Sequence, residues 1–237
     1  METSVIVRTK NEERYLEKVL KKLKKQTYTD FGIIIVDDNS TDKTLKIAQK
    51  YTDKIISIPP GKFTHPYSCN LGAQEASGKF LAYLNGHSIP VYDQYLEKGV
   101  ENFQDKTVAG VYGTVRAHSD GTWADKLIYN PAFYIRGRRR FAARAGQTGL
   151  LGTTNAIIRK DLWEQHPFRE DFNQGWGGED SEWANYYIQR GYKIIHEPYL
   201  AVYHSHHLRW KDILWQWRNW RKMGKDGGLP EKQRRYF

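Results

Sequence analysis

Short, wholly apolar runs alternate with amphipathic stretches through the first half of the chain. Ser4-Val5-Ile6-Val7 and Phe31–Val36 have the continuous apolar character of parallel strands buried on both faces. Between them Tyr15, Leu16, Val19, Leu20 and Leu23 recur at helical spacing with lysines opposite, which predicts an amphipathic helix. The pattern continues with a helix over 41–51, a strand over 54–58, a helix over 67–76 and a strand over 79–84. A helix over 92–103 and a strand over 107–115 follow. This βαβαβαβ order implies a parallel sheet with helices on both faces. Ligands of such sheets sit at the carboxyl ends of the strands. The polar clusters Arg8 to Glu12, Asp37 to Asp42 and Asn85-Gly86-His87 all fall on that edge.

The second half is less regular. Asp120-Gly121 is a turn signal, and residues 117–150 resist assignment. A helix over 181–190 closed by Gly191 and a strand over 199–203 are expected. The run Gln174-Gly175-Trp176-Gly177-Gly178-Glu179-Asp180 combines glycines that let a ligand approach the main chain with a flat apolar ring and two acids at a helix start. A capped helix after a loop is the plain reading of the acids. The glycine-bracketed tryptophan favours a functional one. Beyond it, Trp210, Ile213, Leu214, Trp217 and Trp220 recur at helical spacing among Arg209, Lys211, Arg218, Arg221 and Lys222. Such a helix packs on its own domain or on a second subunit, as in a homodimer, or lies on an anionic membrane surface through residues 208–223.

Composition narrows this picture. The chain has 237 residues, a net charge of +10 and one cysteine, Cys69, so no intrachain disulfide framework is possible. No run of about 18 apolar residues exists, and the N-terminus leads into a strand pattern without signal-peptide organisation. A cytoplasmic protein is expected, with association at the cytoplasmic face of a membrane as the tail's second reading. The positive charge suits anionic partners. It is spread over helix faces and the tail, which argues against nucleic acid.

Ser4 to Val7 with Asn11-Glu12, Val36 to Asp42, Asn70-Leu71-Gly72 and Ala76-Ser77-Gly78-Lys79-Phe80 together resemble family-two glycosyltransferases of the GT-A fold. The loop Trp176 to Asp180 is similar to the Trp-Gly-Gly-Glu-Asp loop of β-1,4-galactosyltransferases and bacterial chondroitin-type polymerases. The resemblance covers roughly residues 3–207. It implies an α/β, Rossmann-like, mostly parallel sheet flanked by helices, with a C-terminal amphipathic helix. Residues 1–116 would form the nucleotide-sugar half and 117–207 the acceptor half of one domain, followed by a basic aromatic tail over 208–237. The implied reaction is inverting transfer from a nucleotide-diphosphate sugar, a UDP-sugar, to a hydroxyl of a glycan, lipid-linked or protein acceptor. The donor-binding residues would be Arg8, Thr9, Glu12, Asp37, Asp38, Asn70, Asn85 and Gly86, with Asp38 on the base and ribose. Trp176, Gly177 and Gly178 would meet the acceptor. Asp180 would be the general base, and Glu179 would orient the loop or bind an acceptor hydroxyl.

The chain departs from that family at its metal position. Asn85-Gly86-His87 stands where Asp-x-Asp is the family's pattern. Losing two carboxylates weakens Mg²⁺ most, while imidazole suits Mn²⁺ and later metals. By resemblance to polypeptide N-acetylgalactosaminyltransferases, which have Asp-x-His and a later His, the divalent cation would be held by His87 and His204, with His206 as a substitute. The alternative is a surface histidine and a basic loop, with the arginines between Arg136 and Arg144 stabilising the diphosphate instead. A degenerate, non-catalytic binder of a glycan or anionic partner is the reading from another class. The acid pair argues against it.

Overall fold

The computed structural model describes residues 1–135, 137–146, 150–171, 178–210 and 212. Strands β1 (Thr3–Thr9), β2 (Phe31–Asp37), β3 (Ile55–Ser57) and β4 (Phe80–Asn85) form its parallel half in the order β3-β2-β1-β4. All seven residues of β1 are buried, as a central strand covered on both faces requires. Side chains alternate between two cores. Ile6, Ile34, Val36 and Tyr83 enter one, and Val5, Val7, Ile33, Ile35 and Leu84 the other. Helix α1 (Leu16–Leu23) closes the second core with Leu16, Val19, Leu20 and Leu23, the stripe seen in the sequence.

Helices α2 (Thr44–Ala48), α3 (His65–Gln74) and α4 (Tyr95–Glu101) connect and follow these strands. The helix expected over 41–51 is shorter because Asp42 is spent on the entry loop. Its carboxylate accepts from the backbone N–H groups of Thr44 and Glu13 at 2.9 and 3.0 Å. Helix α4 likewise stops early and passes into a 3-10 turn over Asn102–Gln104.

Strand β5 (Ile89–Pro90) belongs to a small second sheet with β7 (Val115–Arg116) and β11 (Val202–Tyr203), in the order β5-β11-β7. The strand expected over 107–115 breaks into β6 (Val108–Tyr112) and β7 because the chain turns at Gly113. A Cβ there would lie 2.0 Å from the Leu200 carbonyl oxygen. The first half of the strand expected over 199–203 is a 3-10 turn, Pro198–Leu200.

Helix α5 (Trp123–Ile135) and strand β8 (Phe141–Ala142) occupy the segment that resists sequence assignment. Strand β9 (Asn155–Arg159) runs antiparallel between β4 and β6, and β10 (Lys193–His196) pairs parallel with β6. The two halves of the chain therefore share one eight-stranded sheet. Helix α6 (Lys160–Gln165) follows β9, and α7 (Glu179–Ile188) begins at the acid pair, two residues earlier than its pattern suggests. Gly191, at φ 84°, closes it as expected. Residues 172–177, with Trp176 and Gly177, and nearly all of the C-terminal amphipathic segment lie outside the described residues. No helix among those described is long and apolar enough to cross a membrane.

Candidate active site

Three clusters meet at the carboxyl ends of β1, β2 and β4. The register places Arg8 beside Val36 on one side and Asn85 on the other, and Thr9 beside Asp37. Asp37 is fully buried. Its carboxylate accepts from Thr9 Oγ1 at 2.9 Å, Ser40 Oγ at 2.6 Å and the Ser40 N–H at 2.8 Å, so it shapes the turn that presents Asp38. Asp38 pairs with Lys10 at 2.6 Å. Asn39 turns the backbone there at φ 53°, a conformation that asparagine tolerates.

Arg8 joins this edge to the acid pair. Its Nη2 donates to Asn85 Oδ1 at 2.7 Å, to the Thr153 carbonyl at 3.1 Å and to Thr153 Oγ1 at 3.2 Å. The Thr153 N–H in turn donates to Asp180 Oδ2 at 3.2 Å, and the Ser181 N–H to Asp180 Oδ1 at 2.6 Å. The acids open helix α7 behind Gly178, whose φ of 120° only glycine holds without strain. The helix N-terminus favours negative charge, yet burial pushes both carboxyl groups up. Asp180, half-buried, is raised by desolvation against the pull of the two backbone N–H groups and Arg8. Glu179 is almost fully buried. Desolvation and then the neighbouring Asp180 charge raise it well above the usual carboxylate range, and its Oε2 has no hydrogen-bond partner among the described residues. Asp180 is thus a more basic carboxylate than its residue type suggests.

The histidines converge through the small sheet. Antiparallel pairing of Tyr203 with Ile89 brings the residue after β11, His204, against the residue before β5, Ser88. Ser88 Oγ lies 3.1 Å from His204 Nδ1, and Glu12 Oε1 lies 2.5 Å from His87 Nδ1. With their Nδ1 atoms engaged, both rings offer Nε2 inward. His87 Nε2 is buried without a partner among the described residues, and His204 Nε2 lies 2.8 Å from His206 Nε2. One ligand atom from each of His87, His204 and His206 falls within 4.8 Å of the others. Burial holds His204 well below the usual imidazole range, followed by the nearby His87 and His206. His206, exposed at the surface, is lowered by partial desolvation of its ring and by His87, against the pull of Asp125 and Glu12. Neutral imidazoles with converging Nε2 atoms are the form that binds a cation.

Gly86 lets this happen. A Cβ there would come within 2.8 Å of Glu12 Cγ and 2.9 Å of Thr9 Cγ2, displacing the carboxylate that orients His87. Asn85 plays a different part from the acid it replaces. Its Oδ1 faces Arg8, and His206 stands as the third nitrogen of the cluster. Asn70, expected on the donor, has all four hydrogen-bond positions engaged inside the fold. It donates to the Phe168 carbonyl and Glu170, and accepts from Trp163 Nε1 and the Phe168 N–H. Of the arginine run, Arg140 is held by Asn102 and Glu197, and Arg136 is outside the described residues.

Three participants escape the sequence reading. Thr153 bridges Arg8 and Asp180, Ser88 orients His204, and His118 Nε2 lies 2.8 Å from the His87 carbonyl oxygen. Ser88 adjoins His87 and was within reach. His118 sits in the unassigned segment, and two of the three bonds of Thr153 run through its backbone, which no side-chain pattern reports. A separate cleft of about 430 Å³, lined by Gly78, Lys106 and Arg159 among others, lies at the opposite end of β4 and takes no part in these clusters.

The sequence and the fold have counterparts among known proteins. The O-antigen chain rhamnosyltransferase WbaN of Salmonella anatum is 30% identical over 193 residues, covering 77% of this chain and 59% of that protein. A GalNAc(5)-diNAcBac-PP-undecaprenol β-1,3-glucosyltransferase of Campylobacter jejuni is 27% identical, covering 81% of this chain and 61% of that protein. The chain therefore spans about three fifths of the length of these relatives. Among solved structures, the mannosyltransferase PcManGT of Pyrobaculum calidifontis, in complex with GDP-Man and Mn²⁺, superposes with a TM-score of 0.69 at 19% identity over 96% of this chain and 62% of that one. TarS 1–349 of Staphylococcus aureus in complex with UDP gives a TM-score of 0.65 at 21% identity over 87% of this chain and 61% of that one. The fold is that of GT-A glycosyltransferases. The model of glycosyl transferase family 2 matches residues 4–166, more than half of the sequence, and the chain belongs to that family of transferases.

Proposed function

We propose that this domain transfers a sugar, with inversion, from a nucleotide-diphosphate sugar to an acceptor hydroxyl, with Asp180 as general base. The observation that carries the reading is the hydrogen-bonded path Asn85–Arg8–Thr153–Asp180, which ties the acid to the same strand ends that bear Asp37, Asp38 and the histidines. Asp180 takes the proton of the acceptor hydroxyl as its oxygen attacks the anomeric carbon. Its raised pKa strengthens it as a base. Glu179, protonated in its buried setting, keeps a second negative charge away from that base and positions the loop. Asp38 and Arg8 face the nucleotide, for which a UDP-sugar is the expected donor. Gly178, with Trp176 and Gly177, borders the acceptor.

The histidine cluster fits a divalent cation. An unpartnered buried Nε2, two facing Nε2 atoms and two orienting partners are features a cation would satisfy, and imidazole donors favour Mn²⁺ over Mg²⁺. When bound, such a cation neutralises charge on the departing diphosphate. The complex of PcManGT with GDP-Man and Mn²⁺ supports the pairing of nucleotide-sugar and cation on this fold. The undecaprenol-linked substrate named for the Campylobacter jejuni relative supports a lipid-linked acceptor. Asp180→Asn tests the reading. Transfer should disappear while nucleotide binding stays; an Asp180→Asn variant with native turnover would refute the assignment.

A further inference from the structure

Helix α5 exposes an apolar stripe that the transfer chemistry does not use. Trp123, Leu127 and Tyr134 share one helix face and Ile135 borders it, each between 45% and 70% exposed. Trp210, 59% exposed, extends the stripe by packing its ring 4.9 Å from that of Trp123. These five are the majority of the nine exposed large apolar side chains among the described residues, so the patch is a concentration rather than scatter.

The other side of α5 is fastened to the domain. Asp125 is fully buried and accepts from Thr122 and from the backbone N–H groups of His206 and Leu208, at 3.3 and 3.4 Å for the latter two. Asn130 Oδ1 accepts from the Ala117 N–H, and the Arg116 guanidinium lies 5.3 Å from the Phe133 ring centre. The stripe therefore faces outward from a helix bonded to the loop that carries His204 and His206.

Charge selects the occupant. Among the described residues Lys126, Arg138 and Arg139 stand exposed along this segment, and the one acid in 121–146 is the buried Asp125. A second copy of this face would set a cationic rim against itself. The segment 213–222 carries Arg218, Arg221 and Lys222 with no acid, so its charge also opposes that rim. A surface both apolar and anionic satisfies stripe and rim together. We propose that the outward face of α5, with Trp210, seats the domain on an anionic lipid bilayer. Tryptophan and tyrosine sit at the headgroup level, Leu127 and Ile135 reach the acyl boundary, and Lys126 and Arg138 meet lipid phosphates. The bonds from Asp125 to residues 206 and 208 then place the histidine loop beside the membrane. Where the transferase reading holds, that placement assigns the site a lipid-linked acceptor; the membrane seat itself does not depend on it.

Flotation of the full chain with vesicles of phosphatidylcholine, with and without phosphatidylglycerol, tests this. Native protein should float with the anionic vesicles and release as salt rises. The double variant Leu127→Ser/Ile135→Ser should partition about tenfold more weakly or worse, with its melting temperature and UDP stabilisation unchanged. Lys126→Glu/Arg138→Glu keeps the stripe and should lose the preference for phosphatidylglycerol. Absence of native binding to anionic vesicles would overturn the proposal. So would binding undiminished in both variants, or a native dimer that Leu127→Ser/Ile135→Ser dissolves. Failure of UDP stabilisation with vesicle binding intact would strike the transferase reading alone.

Discussion

The two poles of the site solve opposite electrostatic problems. At the histidine pole burial lowers proton affinity, and Glu12 and Ser88 turn the Nε2 atoms of His87 and His204 toward one point. At the carboxylate pole burial raises proton affinity, and backbone N–H groups hold Asp180 while Glu179 is left with an unpartnered oxygen. The first arrangement suits the cation we propose there and the second suits the proposed base. Desolvation acts on both, and the sign of the charge it penalises separates their roles.

That contrast can be broken one pole at a time. Asp180→Asn should lower transfer about 10²–10⁴-fold with nucleotide affinity intact, measured by product formation and by titration. Glu12→Gln acts on the other pole. It should weaken Mn²⁺ binding about 10–100-fold, read by calorimetry, with base catalysis untouched at saturating metal. Asn70→Ala should cost about 1–3 kcal/mol of stability in urea unfolding because Trp163 and the Phe168 backbone lose their partner. If it instead weakens nucleotide binding without destabilising the fold, Asn70 belongs to the donor site after all. Glu179→Gln should have the smallest effect, on the pH dependence of stability. The folded state keeps the Glu179 proton above the ordinary glutamate value of about 4.3, so the native protein binds more protons than the unfolded chain over that range. Its contribution is full below that value and is lost as pH rises toward the raised folded pKa. The glutamine variant should flatten that decline in melting temperature.

The edge at the carboxyl ends of β1, β2 and β4 was readable because its elements are local. Apolar runs such as Val5 to Val7 and Ile33 to Val36 identify strands directly, and their polar ends fall on one edge by topology alone. The histidine cluster was half readable. His87 and His204 stand out as residue types, but their meeting depends on a small sheet of two-residue strands, too short to leave a periodic signal. Helix α5 was missed because its exposed face is apolar and Pro131 interrupts it, so the usual contrast between a wet and a dry face is absent. The packing around Asn70 was not readable for another reason. A motif position identifies a residue, whereas its four hydrogen bonds come from helix α6 and the segment after it, about a hundred residues away.

The most direct test is a thermal-shift titration with UDP and GDP, each in Mn²⁺, Mg²⁺ or EDTA, on the native chain and on His204→Ala. The account predicts stabilisation by a nucleotide that is larger with Mn²⁺ than with Mg²⁺ and is lost in EDTA and in His204→Ala. A nucleotide shift that is equal in EDTA would contradict a histidine-held cation, and no shift with either nucleotide would contradict the donor site itself.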